Sequence, residues 1–211
     1  MYQLYYSPGA CSMAPHVILN ELNVPFEVKK IALMEGEGQK PEFLKINPRG
    51  QVPVLVDDGQ VIREGAAILI HLMEKNNSPM LPKSGKERDV ALEWLCFANA
   101  SMHPAYAKGF FVWKNIEDKA AQEKAFKVVF QQINKLWADV DAQLAKTPYV
   151  AGKNLTAADI LLTVIANWGG YFPPGSVTLG SNVKRLIKEI SSRPSYKKAL
   201  TTEQVEYKAA A

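Results

Sequence analysis

The sequence predicts an α/β domain followed by an all-α domain, and three observations predict it. Residues 1–76 mix short apolar strand candidates with helical segments, in the order strand–helix–strand–helix–strand–strand–helix. Residues 76–82, Asn-Asn-Ser-Pro-Met-Leu-Pro, gather chain breakers in one place. Beyond them the apolar residues recur at helical spacing only. The division is an α/β domain over 1–76, a linker over 77–84 and a helical domain over 85–211, with no internal repeat and no low-complexity segment.

Taken in order, residues 2–6 read as a short strand and 13–22 as a helix, with Pro15 in its first turn and Val17, Ile18, Leu19 and Leu22 at helical spacing. Residues 26–31 alternate and read as a second strand. Residues 34–40, with Gly36 and Gly38, read as a polar loop, and 42–46 as one or two helical turns. Residues 52–56 form a buried strand, Asp57-Asp58-Gly59 signals a hairpin, and 60–63 return. A helix follows over 64–74 with Ala67, Ile68, Leu69 and Leu72 inward. In the second domain, helices are expected over 86–101, 120–144, from 157 through Trp168, over 181–191 and from Pro194. Leu155-Thr156-x-x-Asp159-Ile160 carries a capping box with a hydrophobic staple at one of these starts.

Composition narrows the functional classes. Of 211 residues, 47% are apolar and 22% charged, which is ordinary for a globular chain long enough to bury a substantial core. Twenty-five basic against twenty-one acidic residues are scattered and give +4, too little for a polyanion partner, so no nucleic acid is expected. No apolar run approaches the roughly 20 residues of a membrane span. The first residues lack a basic region and are broken by Pro8 and Gly9, so the expected compartment is the reducing cytoplasm, with Cys11 and Cys96 both free. No His/Cys cluster has metal-ligand spacing, so no metal is expected.

The chemistry concentrates in the stretch Tyr5-Tyr6-Ser7-Pro8-Gly9-Ala10-Cys11-Ser12. Cys11 stands at the start of a helix, among unpaired N–H groups and the positive end of the helix dipole. Such a place lowers a thiol pKa and favours the reactive thiolate. The alternative is a buried, inert structural cysteine.

At this point the chain resembles a cytosolic glutathione transferase, and Tyr-x-x-Pro-Gly-x-Cys-Ser resembles the bacterial beta class. The resemblance spans nearly the whole chain. Its motifs are Tyr6–Ser12, Asn47-Pro48-Arg49-Gly50-Gln51-Val52-Pro53-Val54-Leu55, Arg63-Glu64-Gly65-x-Ala67-Ile68 and Thr156-x-x-Asp159. It implies a thioredoxin-like domain before the helical one, a homodimer, and glutathione as co-substrate with no other cofactor. It further implies a cis peptide at Val52-Pro53, with the Val52 backbone pairing the cysteinyl part of glutathione. The γ-glutamyl carboxylate then meets the helix start at Gly65, and its ammonium meets Glu64. Ala10 and Gln51 are further contacts. From the second domain the resemblance brings Asn99, and also His103, which faces the cysteine across the domain interface. Three positions depart from the family pattern: Gly36 stands where a lysine is expected, Pro104 where a lysine follows the histidine, and Gly65 where serine is frequent.

Two mechanisms remain open on the sequence. A hydroxyl, from Tyr6 or Ser12, holds glutathione as a thiolate that attacks an electrophile. Alternatively Cys11 forms a mixed disulfide with glutathione, its thiolate supported by a Ser12 hydrogen bond and a protonated His103. The second is the expectation, with conjugation as an accompanying activity and a small electrophile or disulfide as second substrate. Phe110, Phe111, Trp113, Trp168, Tyr171 and Phe172 are offered as apolar walls for that substrate. A different class, a binding module of the same fold that has lost catalysis, is the alternative function.

Overall fold

The structure, a computed structural model, describes residues 1–209. The chain divides into two compact units, one made of Met1–Lys83 with Ser191–Tyr207 and the other of Ser84–Ile190 with Lys208.

The first unit is built on a four-stranded mixed sheet in the order β2-β1-β3-β4. Strands β1 (Tyr2–Tyr6) and β2 (Phe26–Lys30) are parallel and joined through helix α1 (Met13–Leu22). β3 (Val54–Asp57) and β4 (Gln60–Arg63) form an antiparallel hairpin, and β3 pairs antiparallel with β1. The hairpin turn holds Asp58 at φ 47° and Gly59 at φ 89°, the two positive φ values that a two-residue primed turn requires. Alternation along β1 sends Tyr2, Leu4 and Tyr6 to one buried face. That face is covered by α1 and by α3 (Gly65–Lys75). The opposite face packs Ile31, Phe43 and Val54 with Tyr5, Val52 and Val61. Full burial of an aliphatic or phenylalanine side chain such as Val54 or Phe43 stabilises the fold by about 1.5–3 kcal/mol.

Three local differences from the sequence reading have physical causes. The polar loop at 34–40 closes into two 3-10 turns, Leu33–Glu35 and Glu37–Gln39, and the segment after it is a single helical turn, α2 (Pro41–Leu44). β3 begins at Val54 because Pro53 has no N–H to donate to a ladder. Glu64 lies outside α3, at φ 71°.

The last helix, α9 (Pro194–Glu203), belongs by contact to the first unit, although the sequence division assigns it to the helical domain. It packs on α1. Arg193 makes a two-pronged pair with Glu21 at 2.7 and 2.9 Å, Ser195 donates to the same carboxylate, and Asn20 Nδ2 donates to the Ser195 carbonyl at 3.2 Å. These partners lie more than 170 positions apart in sequence, beyond the reach of local pattern.

The second unit contains α4 (Gly85–Phe97), α5 (His103–Asn115), α6 (Lys119–Leu144), α7 (Ala157–Ala166) and α8 (Ser181–Ser191). A π turn, Ala98–Met102, joins α4 to α5, and the His103 N–H bonds back to Ala98. Pro104 stands in the first turn of α5. The widened turn accommodates it, since a π turn skips the hydrogen bond that proline cannot make. On α6 the stripe Val129, Ile133, Trp137, Val140 and Leu144 is buried. α7 is buried along its whole length. Its capping box forms as expected: Asp159 accepts from the Thr156 N–H, the Thr156 hydroxyl and the Val150 N–H, all at 2.8 Å.

Candidate functional site

The turn after β1 carries the cysteine and is held from three sides. Ala10 N–H bonds to the Ser7 carbonyl at 3.0 Å, and the Met13 N–H bonds to Ala10 at 3.0 Å, which starts α1. Gly9 takes φ 68°, a conformation that glycine adopts without strain. Its N–H donates to Glu203 Oε2 at 3.0 Å, and Glu203 Oε1 lies 2.8 Å from His16 Nδ1. Both Glu203 and His16 are buried. The end of α9 thereby clamps the Pro8-Gly9 turn to α1. Neither residue stood out in the sequence: His16 was one of three dispersed histidines, and its partner lies 187 positions away.

The expected support of Cys11 by Ser12 is not what this turn makes. The buried Ser12 hydroxyl accepts from the Ser7 N–H at 3.1 Å and donates to the Ser7 carbonyl at 3.2 Å. It is a brace of the turn, with its one proton engaged there. Tyr6 points to the α1 face of the sheet, its ring 6.0 Å from that of His16. Burial first, and then the charge of Glu203, raise its phenol above the ordinary value.

The Cys11 sulfur lies 3.8 Å from the Val52 carbonyl oxygen. The Val52-Pro53 peptide is cis, as the resemblance implied. The Val52 N–H has no partner among the described residues. Cys11 is itself partly exposed, yet protein surrounds its sulfur. That desolvation pushes the thiol from 9.0 up to about 11, against backbone N–H groups of Cys11 and Ser12 that pull it down, and Glu64 adds a smaller upward push. The sequence expectation of a depressed thiol pKa is therefore corrected. The helix start acts in the predicted direction, but loss of water outweighs it.

The loop before Val52 is pinned by Asn47, a buried residue whose role the sequence did not suggest. Its Nδ2 donates to the Gln51 carbonyl at 2.7 Å and its Oδ1 accepts from the Arg49 N–H at 3.2 Å. Gly38 and Gly50 approach so closely here that a Cβ on Gly38 would stand 2.4 Å from the Gly50 oxygen. The Gln51 side chain is exposed. Glu64 at φ 71° follows β4 in a conformation that costs an L residue about 1–3 kcal/mol and marks functional sites more than ordinary ones. The first helical bond of α3 runs from the Ile68 N–H to the Glu64 carbonyl at 3.0 Å, which leaves the N–H groups of Gly65, Ala66 and Ala67 outside the helix's own bonding. Arg49 Nη1 pairs with Glu64 Oε1, a contact absent from the sequence reading.

In the second unit, Asn99 lies in the π turn and His103 begins α5. The His103 ring meets Trp168 edge-on at 5.1 Å. Burial lowers its pKa from 6.5, so at neutral pH it is neutral and brings no positive charge; that part of the expectation is also corrected. Phe110 and Phe172 meet at a tilt with ring centroids 4.9 Å apart, and Phe110 also meets Trp168 and Tyr171. Phe111, Trp113 and Tyr171, offered with them as walls, instead face solvent at 63%, 55% and 53% exposure.

Among the described residues no group of three or more His, Cys, Asp or Glu side chains is placed to hold a metal, and no helix is long and apolar enough to cross a membrane. What the first unit does assemble is a thiol beside an unpaired peptide N–H, followed by a carboxylate and a helix start. That set can take a peptide with an ammonium, a carboxylate and a sulfur.

Comparison with known proteins points the same way. A family model described as the N-terminal domain of glutathione S-transferase matches residues 1–74, and one described as its C-terminal domain matches residues 90–194. The chain is 32% identical over 170 residues to glutathione S-transferase GST-4.5 of Xanthomonas campestris pv. campestris, covering 79% of this chain and 81% of that one. The structure is similar to that of a sphingomonad glutathione S-transferase complexed with glutathione, with TM-score 0.81 and 28% identity, over 97% of this chain and 100% of the other. It is equally similar to the beta class glutathione S-transferase of Sphingomonas chungbukensis, with TM-score 0.81 and 27% identity, over 97% and 100% of the two chains.

Proposed function

The chain belongs to the glutathione S-transferase family and resembles its beta class, and from that premise we propose that it acts on glutathione through Cys11. The family favours an enzyme over the binding-module alternative. One observation carries the site assignment: the Cys11 sulfur lies 3.8 Å from the carbonyl of a residue, Val52, whose N–H is unpaired. A peptide that pairs with Val52 as an added strand brings its cysteinyl sulfur to Cys11. In this reading the γ-glutamyl carboxylate lies on the free N–H groups at Gly65, its ammonium on Glu64, and Ala10 and Gln51 border the peptide.

The thiol pKa decides how Cys11 works. At neutral pH it is an S–H group, and it serves bound glutathione as a hydrogen-bond donor to the glutathione thiolate. That thiolate attacks the electrophile; the carbon–sulfur bond forms and the leaving group departs with its electron pair. At higher pH the Cys11 thiolate forms and attacks one sulfur of a glutathione disulfide. The old S–S bond breaks, glutathione leaves as thiolate, and a Cys11–glutathione disulfide remains. A second glutathione thiolate attacks the glutathione sulfur of that mixed disulfide and restores Cys11. In this reading glutathione itself is the resolving thiol.

The working form in this proposal is a cytoplasmic homodimer, and sedimentation at a concentration-independent monomer mass would refute that assembly. Titration calorimetry with reduced glutathione, together with turnover of an activated aryl chloride, tests the enzyme reading. Saturable binding and conjugation are expected. A chain that neither binds glutathione nor turns over the aryl chloride would be the binding module instead.

A further inference from the structure

We propose that Arg49 is a competing cation built into the site. In the free protein its guanidinium holds the carboxylate of Glu64 that the α-ammonium of glutathione takes on binding, so Arg49 sets the affinity for ammonium-bearing ligands. The inference rests on the glutathione reading of Glu64 given above.

The pairing of Arg49 Nη1 with Glu64 Oε1 joins two groups that are 60% and 63% exposed. Exposed ions gain little by pairing and seldom hold long side chains in place by themselves. Here the backbone aims both. Glu64 projects from a residue at φ 71°, and Arg49 stands on a turn whose N–H and flanking carbonyl are fixed by the buried Asn47. Among the described residues no other carboxylate pairs with Arg49. The paired carboxylate also adjoins the unbonded N–H groups of α3, where the carboxylate end of an amino acid would lie. The ammonium of that same amino acid therefore arrives where a guanidinium already stands.

Two cations about 4 Å apart in water repel enough to change an affinity roughly fivefold, so the guanidinium and the ammonium exchange on Glu64 rather than share it at no cost. The charge of Glu64 bears on Cys11 as well, since it raises the thiol pKa. Whichever cation holds Glu64 thus acts at both ends of the site.

The test compares wild type, Arg49→Gln and Arg49→Lys by titration calorimetry. The ligands are glutathione and its deaminated analogue, which keeps both carboxylates and lacks the ammonium. Arg49→Gln is expected to bind glutathione about two- to fivefold tighter, the range of an exposed ion pair. Arg49→Lys keeps the cation and should match wild type. The analogue should gain nothing from Arg49→Gln. Glutathione affinity that is unchanged or weaker in Arg49→Gln overturns the proposal, as does equal tightening of both ligands. A folded wild type that binds neither ligand refutes the glutathione reading itself, and this inference falls with it.

Discussion

With Cys96 replaced by serine, Cys11 is the only thiol in the chain, and its alkylation by iodoacetamide should be slow at neutral pH and still rising beyond pH 10. The size follows from the shift of the thiol from 9.0 to about 11. At pH 7 that change lowers the thiolate fraction about a hundredfold, from roughly one in a hundred to one in ten thousand. The more basic thiolate is a better nucleophile, by about six- to tenfold over two pKa units. The net rate at pH 7 should then be about ten- to fifteenfold below that of a thiol of ordinary pKa. The sign is fixed by the cause: desolvation disfavours the charged form, so the thiol persists through neutral pH and ionises only well above it. The logarithm of the rate should climb with unit slope to at least pH 10. Because Glu64 adds to the upward shift, Glu64→Gln should move the rise to lower pH. A plateau below pH 8 would refute the reasoning, since it would mean that the helix start and its N–H groups outweigh the loss of water.

Two further substitutions separate structure from chemistry. Asp159→Ala removes a buried acceptor from the Val150 N–H, the Thr156 N–H and the Thr156 hydroxyl, and should cost about 2–4 kcal/mol. The check is a lower melting temperature with glutathione affinity at 15 °C unchanged, and the reverse pattern would contradict a structural role. Glu203→Ala leaves the buried His16 ring and the Gly9 N–H without this carboxylate, and should likewise cost about 2–4 kcal/mol. Here hydrogen exchange at residues 8–12 should rise above that of the β3–β4 hairpin, and uniform exchange across the unit would show that the clamp is not local.

Much of the fold was legible because it is written in local pattern. The bounds of α1 and α8 and the capping box of α7 follow from periodicity and from the residues at their ends. The place of Cys11, Val52 and Glu64 in one unit was legible through the motifs that carry them. What local pattern does not contain is the partner of a side chain. Ser12 reads as a donor to its neighbour Cys11, but the turn brings Ser7 back to it from five positions away. Arg49 and Glu64 are fifteen positions apart in different loops, and Glu203 returns from the far end of the chain. The sign of the Cys11 shift depends on how much water reaches the sulfur, which only the folded chain decides. His103 illustrates the same point: the expectation from sequence was a protonated ring, but beside Trp168 it is largely removed from water and neutral.

The central claim is that Cys11 meets the sulfur of bound glutathione. It is tested most directly by incubating the Cys96→Ser protein with glutathione disulfide at pH 9, then measuring intact mass and mapping the modified peptide. The account predicts one glutathionyl group per chain, on Cys11, released by reductant and absent from the Cys11→Ala/Cys96→Ser double variant. If the Cys96→Ser protein binds glutathione by calorimetry and yet forms no adduct on Cys11 at that pH, the sulfur of the ligand does not lie against Cys11, and the claim is wrong.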